Sequence, residues 1–276
     1  MMIVKIRIFL ALAFIFASTL ILAPLQVIAM KTGLWRETII LKIWHRALLK
    51  GLGIRVHATG ALSDKRPLLV AANHISWTDI LVLGSLVDVQ FIAKSELEGW
   101  PLLGWLSKLQ RTVFIERDRR RKSGDQASEI ATRLGRGDAM VLFAEGSTGD
   151  GNILLPFKST LFGAASMAIS EGAAQEVFIQ PVAIAYTRLH GVAFGRRDRG
   201  ISAWIGDEDL LPHLKALLAE RALDAEVHFG EPVVFSQGSN RKETAKLVES
   251  RVQAMMETAM RDPRPSRPPK QSRPQK

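Results

Sequence analysis

A long apolar segment near the start of the chain constrains its folding more than any other feature. Ile8 to Met30 is almost wholly apolar over 23 residues, and Lys5 and Arg7 precede it. Such a run is long enough to cross a bilayer, which needs roughly 20 residues. A cleavable signal peptide is the alternative, because Val27-Ile28-Ala29 resembles a cleavage site. The segment therefore belongs in or on a membrane unless it is removed.

The sequence that follows favours a retained anchor. Between residues 35 and 50, Trp35 and Trp44 recur at helical spacing with isoleucines and leucines, among four basic side chains. An amphipathic basic helix with tryptophans is typical of a membrane interface. Pro24 interrupts the first segment and basic residues flank both its ends, so a full span and a bent helix pair in one leaflet both remain open. We expect residues 1–50 to form a membrane anchor with an interfacial helix.

Beyond about Arg66 the pattern changes to short apolar strands that alternate with helices. Strands are predicted at Leu68–Ala72, Val89–Ala93, Thr112–Ile115, Met140–Ala144, Val177–Tyr186, Ser202–Ile205 and Glu226–Phe229. Helices are predicted at Trp77–Leu86, Gln126–Leu134, Leu161–Ser170, Leu210–Glu220 and Glu243–Met260. This alternation predicts an α/β fold, with a mostly buried sheet flanked by helices, over a domain of residues 51–260.

The charge of the chain is concentrated at its end. The formal net charge is +10, and half of that excess lies in the proline-rich residues 261–276. We expect a disordered basic tail there, suited to anionic lipid headgroups or simply solvated. No nucleic-acid-binding module accompanies the charge. The chain contains no cysteine, which excludes disulfides, thiolate metal sites and a cysteine nucleophile.

The first candidate site follows the predicted strand Leu68–Ala72 and pairs His74 with Asp79. In open α/β sheets, ligands bind beyond the carboxyl ends of strands, where His74 falls. Histidine serves as a general base near neutral pH, and a carboxylate on its second nitrogen fixes the tautomer. Residues five apart point about 140° apart on a helix, so the two meet only if His74 precedes the helix. Alternatively, Asp79 only forms a capping box with Ser76.

Three further blocks carry candidate binding residues. Arg117 ends a predicted strand, where a guanidinium is suited to bidentate binding of a phosphate. Glu145-Gly146-Ser147-Thr148 lies in a glycine-rich turn after another strand, and such a turn presents backbone N–H groups to an anion or a developing oxyanion. Pro181 lies in the predicted strand Val177–Tyr186. Because proline lacks the ladder donor, Pro181 predicts a strand start or a sheet edge.

Two other classes of function remain open from these residues. Ser147 on a strand-to-helix turn resembles the nucleophile of a serine esterase, although Glu145 stands where that motif has glycine. The hypothesis of a serine esterase predicts that a fluorophosphonate probe labels Ser147. A non-enzymatic membrane adaptor predicts that His74→Ala and Asp79→Ala have no effect.

Taken in order, the four blocks resemble the motifs of the lysophosphatidate acyltransferase family, also called the glycerolipid acyltransferase superfamily. The resemblance runs from about Arg66 to Ala185, somewhat under half the chain. It implies that His74, next to Asn73 in the first motif, is the general base on the acceptor hydroxyl and that Asp79 orients it.

The other motifs imply the substrate-binding residues. Arg117 in the second motif would help to bind the acceptor, Glu145 and Gly146 match the third motif, and Pro181 matches the fourth. The family's third motif usually continues with threonine and arginine, and the arginine is thought to meet a glycerol phosphate. Here Ser147 and Thr148 take those places, so that positive charge is missing, and Glu116 replaces a frequent aspartate in the second motif.

The longer run from Glu145 to Gly151, with Trp204 to Asp207 and Leu211-Pro212-His213 downstream, resembles bacterial lyso-ornithine lipid acyltransferases. The acceptor of those enzymes carries a hydroxyl and no phosphate. The resemblance therefore implies transfer of a fatty acyl group to lyso-ornithine lipid, with lysophosphatidate as the alternative acceptor.

The same resemblance implies the partners and the location. The donor would be an acyl carrier protein or coenzyme A thioester, and the basic surface would steer the acidic carrier protein. No metal, cofactor or covalent enzyme intermediate is expected. An N-terminal membrane-associated helix pair would hold the protein at the inner (cytoplasmic) membrane, with the catalytic domain facing the cytoplasm.

Overall fold

The protein begins with two helices that pack against each other. The computed structural model describes residues 2–115, 129–206 and 208–263. Helix α1 (Met2–Thr32) continues through Pro24, and helix α2 (Glu37–Leu52) ends at Gly53, whose φ of 75° is the left-handed conformation that glycine adopts easily. Within the described ranges, α1 is the one helix long and apolar enough to cross a membrane, judged by length and composition alone. The predicted N-terminal helix pair is therefore present.

A single mixed sheet follows, with nine strands in the described part of the chain. The strands are β1 (Ile54–Thr59), β2 (Leu68–Ala72), β3 (Gln90–Lys94), β4 (Val113–Ile115), β5 (Ala139–Phe143), β6 (Glu176–Leu189), β7 (Val192–Ala193), β8 (Leu223–Phe229) and β9 (Val233–Ser236). Their order is β1-β8-β6-β2-β5-β3-β4, with β7 and β9 also paired to β6. Strands β2, β3, β4, β5 and β6 run parallel, whereas β8 and β9 run antiparallel to β6.

Helices cover both faces of this sheet. They are α3 (Thr78–Leu86), α4 (Pro101–Leu109), α5 (described over 129–135), α6 (Gly163–Ser170), α7 (Leu210–Glu220) and α8 (Arg241–Arg261). Strand β2 is buried along its whole length, and its alternate side chains enter two separate cores. Leu68, Val70 and Ala72 join the core beneath α2, α3 and α7, while Leu69 and Ala71 join the core beneath α5, α6 and α8. The predicted α/β fold with a mostly buried sheet is confirmed.

Several predicted elements differ from the structure. The predicted strand Ser202–Ile205 is wrong, because these residues form an irregular segment in which the Trp204 N–H donates to the Ile75 carbonyl (3.0 Å). Strands β1 and β9 and helix α4 were not predicted from the sequence. Helix α4 starts at Pro101 and contains Gly104, so its sequence looks like a loop. The predicted helix Gln126–Leu134 begins outside the described residues.

The prediction that Pro181 marks an edge or a strand start is wrong. Pro181 is buried inside the central strand β6, in register with Ala71 of β2. Its carbonyl accepts the Gly230 N–H (2.9 Å) in the gap between β8 and β9. The missing donor of the proline is supplied by its neighbour, since Gln180 Nε2 donates to the Gly230 carbonyl (2.9 Å). A side-chain amide thus replaces the backbone N–H, which is why a proline is tolerated there.

Candidate active site

The loop between β2 and α3 brings the predicted histidine and aspartate together. His74 lies in this loop, and the helix begins only at Thr78, as the angular argument required. His74 Nδ1 lies 2.8 Å from Asp79 Oδ2. The Asp79 side chain is fully buried, whereas the His74 side chain is 18% exposed. The pair therefore joins a carboxylate shielded from water to an imidazole that a substrate can reach.

Asp79 organises the whole loop as well as the histidine. Its Oδ2 also accepts the backbone N–H groups of Ile75 (2.7 Å) and Ser76 (2.9 Å). Its Oδ1 accepts the hydroxyl of Tyr186 (2.9 Å), a buried residue of β6. The bond to Ser76 is the half of a capping box in which the acidic residue reaches back. The catalytic and capping interpretations of Asp79 are thus compatible, because one carboxylate makes both sets of contacts.

The tautomer of His74 follows from these contacts. Because Nδ1 faces a carboxylate, it carries the proton, and Nε2 is left with a lone pair. Nε2 has no partner among the described residues. The ring stacks on Phe143, with centroids 3.9 Å apart and planes within 13°. The imidazole is therefore fixed in position, with its basic nitrogen available.

Glu145 ties the turn after β5 to the His74 loop. Its Oε1 accepts the backbone N–H of His74 (2.7 Å), and its Oε2 accepts that of Leu155 (2.9 Å). The Gly149 N–H donates to the His74 carbonyl (2.8 Å), so both backbone polar groups of the histidine are held by this turn. Burial, and to a smaller extent the charges of Asp79 and Asp150, raise the pKa of Glu145 to about 7, although the two backbone hydrogen bonds lower it.

The turn itself offers backbone donors beside the histidine loop. Gly146 has a φ of 76°, a left-handed conformation that glycine adopts easily, and its own N–H donates to the Phe143 carbonyl. Ser147 is exposed and Thr148 is partly buried. Their N–H groups have no acceptor within the described ranges. They are therefore the donors of this turn that remain available to an oxyanion.

Two other predicted binding residues face inward. The Asn73 side-chain amide makes two hydrogen bonds to the backbone of Ile184. Its Nδ2 donates to the Ile184 carbonyl (2.9 Å), and its Oδ1 accepts the Ile184 N–H (2.7 Å). Asn73 thus fastens the start of the His74 loop to β6. Pro181 is buried in the same strand. Arg117 and Glu116 of the second motif lie outside the described residues.

Sequence reasoning missed two residues that complete the site. Tyr186 holds Asp79 and also contacts the Thr78 hydroxyl (2.5 Å). Its one signal was that the chain's single tyrosine lies in an apolar strand. His213 of α7, left without a role, accepts a bond from Trp77 Nε1 (3.0 Å) and so connects α7 to the loop. Burial lowers the pKa of His213, which fits this acceptor role of a neutral ring.

Comparison with known proteins identifies relatives of this chain. A family model described as Acyltransferase matches residues 53–185. The chain is 50% identical over 259 residues to the lyso-ornithine lipid O-acyltransferase of Brucella abortus, covering 94% of this chain and 97% of that protein. It is 44% identical over 243 residues to the lyso-ornithine lipid O-acyltransferase of Rhizobium meliloti, covering 88% and 83% of the two chains.

The fold also has a solved counterpart. It matches the crystal structure of the 1-acyl-sn-glycerophosphate acyltransferase from Thermotoga maritima with a TM-score of 0.63 and 22% identity, covering 92% of this chain and 97% of that one. This likeness shows that the chain shares the α/β fold of that structure. The chain belongs to the glycerolipid acyltransferase family that its four motifs predicted, and it is an acyltransferase.

Proposed function

We propose that the protein transfers a fatty acyl group from a thioester donor to the free hydroxyl of lyso-ornithine lipid. One observation carries the proposal: His74 Nδ1 is bound by a buried carboxylate while its Nε2 has no partner within the described part of the chain. This is the arrangement of a general base whose proton acceptor faces the substrate. The names of the relatives at 50% and 44% identity support the acceptor.

The reaction would proceed by direct attack on the thioester. The acceptor hydroxyl oxygen forms a bond to the thioester carbonyl carbon while its proton passes to His74 Nε2. Collapse of the tetrahedral intermediate breaks the carbon–sulfur bond, and the departing thiolate takes the proton back from the imidazolium. Asp79 stabilises the imidazolium between these steps. Acyl carrier protein or coenzyme A would supply the thioester.

The turn after β5 is suited to the oxyanion of the intermediate. The N–H groups of Ser147 and Thr148 point to no acceptor among the described residues, and the turn is fixed to the His74 backbone through Glu145 and Gly149. Donors held in place before the reaction stabilise developing charge without reorganisation. A nucleophilic role for Ser147 is disfavoured, because a nucleophile elbow strains the nucleophile itself, whereas the positive φ lies at Gly146.

The acceptor would be a lysolipid without a phosphate. The third motif lacks the arginine that would contact a glycerol phosphate. Ser147 and Thr148 occupy the two positions where the motif usually has threonine and arginine. We propose that these two residues, with Arg117 of the second motif, contact the polar head of the acceptor.

We propose that the enzyme is attached to the inner membrane with its catalytic domain towards the cytoplasm, and its exposed apolar surface supports the membrane attachment. Helix α1 exposes many large apolar side chains, and beside it Leu102 and Trp105 of α4 are exposed together with Trp100, the residue before that helix. Gln26 Nε2 of α1 donates to the Leu109 carbonyl (3.1 Å), which keeps α4 next to the anchor. Tryptophans at the end of an apolar surface are typical of the membrane–water boundary. Lipid substrates would then reach His74 from the bilayer.

Acyl transfer by the purified full chain in mixed micelles tests the proposal. Lyso-ornithine lipid and lysophosphatidate are offered separately with radiolabelled acyl carrier protein thioester. We expect transfer to lyso-ornithine lipid and a fall in kcat of about 10²–10⁴ in His74→Ala, since a general base contributes that factor. The variant should keep its melting temperature, because His74 is partly exposed.

Other outcomes separate the parts of the proposal. Transfer to lysophosphatidate alone would keep the mechanism and reject the acceptor. Undiminished transfer in His74→Ala would reject the general base. Labelling of Ser147 by a fluorophosphonate probe, lost in Ser147→Ala together with activity, would favour the esterase.

A further inference from the structure

A cavity lies apart from His74, between helix α2 and the edge strand β1 of the sheet. It is an open cleft of about 590 Å³ between the end of α2, the start of β1, the end of α3 and the loop before β8. Its floor is apolar and includes Leu49, Ile54 and Leu86. Its rim carries Arg46, Lys50, Arg55 and Arg221, and no acidic side chain lines the described cleft.

Three of these four cations have no carboxylate partner in the part of the chain that the structure describes. Arg55 forms an ion pair with the buried Asp224 (2.9 Å). No described carboxylate pairs with Arg46, Lys50 or Arg221. Arg46 Nε donates to the Ser85 carbonyl (2.9 Å), which fixes the guanidinium at the rim and leaves its two terminal nitrogens for a ligand. Arginine held in this way is suited to bidentate bonds to phosphate oxygens.

Arg221 reaches the rim in an unfavourable backbone conformation. Its φ of 47° and ψ of 157° fall in a region that is essentially restricted to glycine, and Ala222 next to it has a φ of 73°. Three backbone bonds hold it there, including those from the N–H groups of Ala222 and Leu223 to the Gly53 carbonyl. These bonds hold the Arg221 backbone in place at the rim, which supports a use of its side chain in binding.

The position of the cleft indicates what kind of anion it binds. Lys50 lies over the ring of Phe14 of α1, with Nζ 5.9 Å from the centroid, so the cationic rim meets the exposed apolar side of the candidate membrane helix. The start of β8 pairs with the end of β6, which runs parallel to β2. The cleft therefore opens on the side of the sheet where β2 ends and His74 follows. Along that side, β1 lies three strands away from β2.

We propose that this cleft binds the phosphate headgroup of an anionic phospholipid from the surrounding membrane, at a site separate from the acyl-transfer centre. Arg46, Lys50 and Arg221 hold the phosphate, and the apolar floor takes the first part of a lipid chain. Such a site fixes how the domain sits on the bilayer surface. It differs from the acceptor site in requiring a phosphate and in not involving His74.

Binding of short-chain lipids to the full chain in neutral detergent tests this site. The probes are dihexanoyl phosphatidylglycerol, dihexanoyl phosphatidylcholine and glycerol 3-phosphate, with affinity measured by calorimetry. We expect phosphatidylglycerol to bind most tightly. The double variant Arg46→Gln/Arg221→Gln should weaken it by roughly tenfold to thirtyfold, since each basic residue contributes about fivefold. Acyl transfer in neutral micelles should stay unchanged in this variant.

The matched control removes the same charge elsewhere. Lys242→Gln/Lys246→Gln changes two exposed cations of α8 on the opposite face of the sheet and should leave the affinity unchanged. Equal binding of phosphatidylcholine, or unchanged affinity in the cleft variant, would overturn the proposal. Glycerol 3-phosphate binding as tightly as the lipid would assign the cleft to a free phosphate and overturn the lipid as occupant.

A second variant separates binding from folding. Arg221→Gly removes the guanidinium and relieves the backbone strain. We expect it to lose the phosphatidylglycerol affinity while melting at a higher temperature than Arg221→Gln. A lower melting temperature would mean that Arg221 is kept for the fold, and this would contradict the proposed role of its side chain.

Discussion

At the scale of single residues, Asp79 connects the proposed general base to the folded core. Its carboxylate holds His74, two backbone N–H groups and the Tyr186 hydroxyl, and it is fully buried. We expect Asp79→Asn to fold, because the amide nitrogen can donate to the Tyr186 oxygen while the amide oxygen keeps the other bonds. Loss of the charge should lower kcat by about 10²–10⁴, because the imidazolium is no longer stabilised. A variant with normal melting and normal kcat would contradict this role of the carboxylate.

Glu145 makes stability depend on pH. Its pKa rises from an ordinary 4.5 to about 7 in the folded protein because the carboxyl is buried. The folded state therefore binds this proton more tightly than the unfolded chain does. Its contribution to stability is complete below pH 4.5 and is lost as the pH rises through 7. We expect the unfolding free energy of the wild type, relative to Glu145→Gln, to fall by about 2–3 kcal/mol between roughly pH 5 and 8. Parallel curves for the two proteins in chemical denaturation would show that Glu145 does not titrate in this range.

At the scale of elements, α2 and α3 approach closely through Gly84. A Cβ at this position would lie 2.2 Å from Nδ1 of His45, whose buried ring is held by Gln110 (3.1 Å). Alanine normally stabilises a helix relative to glycine, by about 1 kcal/mol. Here we expect Gly84→Ala to lower the unfolding free energy by about 1–3 kcal/mol, because the buried ring must move. Denaturant melts measure this value.

Two further variants check the cause. Gly99→Ala should be tolerated, since nothing lies within 4 Å of a Cβ built there. In a chain that already carries His45→Ala, Gly84→Ala should lower the unfolding free energy by less than it does in the wild type. If Gly84→Ala lowers the unfolding free energy equally with and without the His45 ring, the contact between residue 84 and His45 is not responsible.

At the scale of the whole molecule, α1 is a candidate membrane helix that also packs onto the folded domain. Ala11 lies in the main core with Leu49 and Leu52, and Trp44 Nε1 of α2 donates to Thr19 of α1 (3.0 Å). The opposite side of α1 is exposed, with Phe9 and Phe16 each 69% accessible. The inward face should therefore affect folding, and the outward face should affect membrane binding.

Paired substitutions separate the two faces of α1. We expect Phe9→Ser/Phe16→Ser to weaken partition into vesicles with little change in melting temperature, because only exposed apolar area is removed. Gly51→Ala should lower the melting temperature and leave partition unchanged, because its Cβ would lie 2.5 Å from Ile15. Vesicle flotation and thermal melts in detergent measure the two effects. The reverse pattern would show that α1 packs with its other face.

The division of the chain at residues 50 and 260 stays a prediction. The tail from residue 264 lies outside the described residues. The packing of α1 and α2 onto the core suggests that residues 1–50 do not fold independently of the catalytic domain.

The sequence by itself determined the parts of the protein that depend on neighbours along the chain. The β2 strand, the loop and the start of α3 are local, so the spacing of His74 and Asp79 set the condition for their meeting, which is that the helix starts after His74. The alternation of strands and helices likewise fixed the α/β class, because a buried parallel sheet needs helices on both faces.

Only the tertiary structure decided what surrounds that pair. Tyr186 is 107 residues from Asp79, and Glu145 is 71 residues from His74, so no local pattern joins them. Helix α4 was missed because proline and glycine look like a loop until the anchor packs beside it, and Pro181 was misplaced because Gln180 supplies the lost donor. The order of strands brings these distant residues to one edge of the sheet, and that order is set by packing and pairing between segments far apart in sequence.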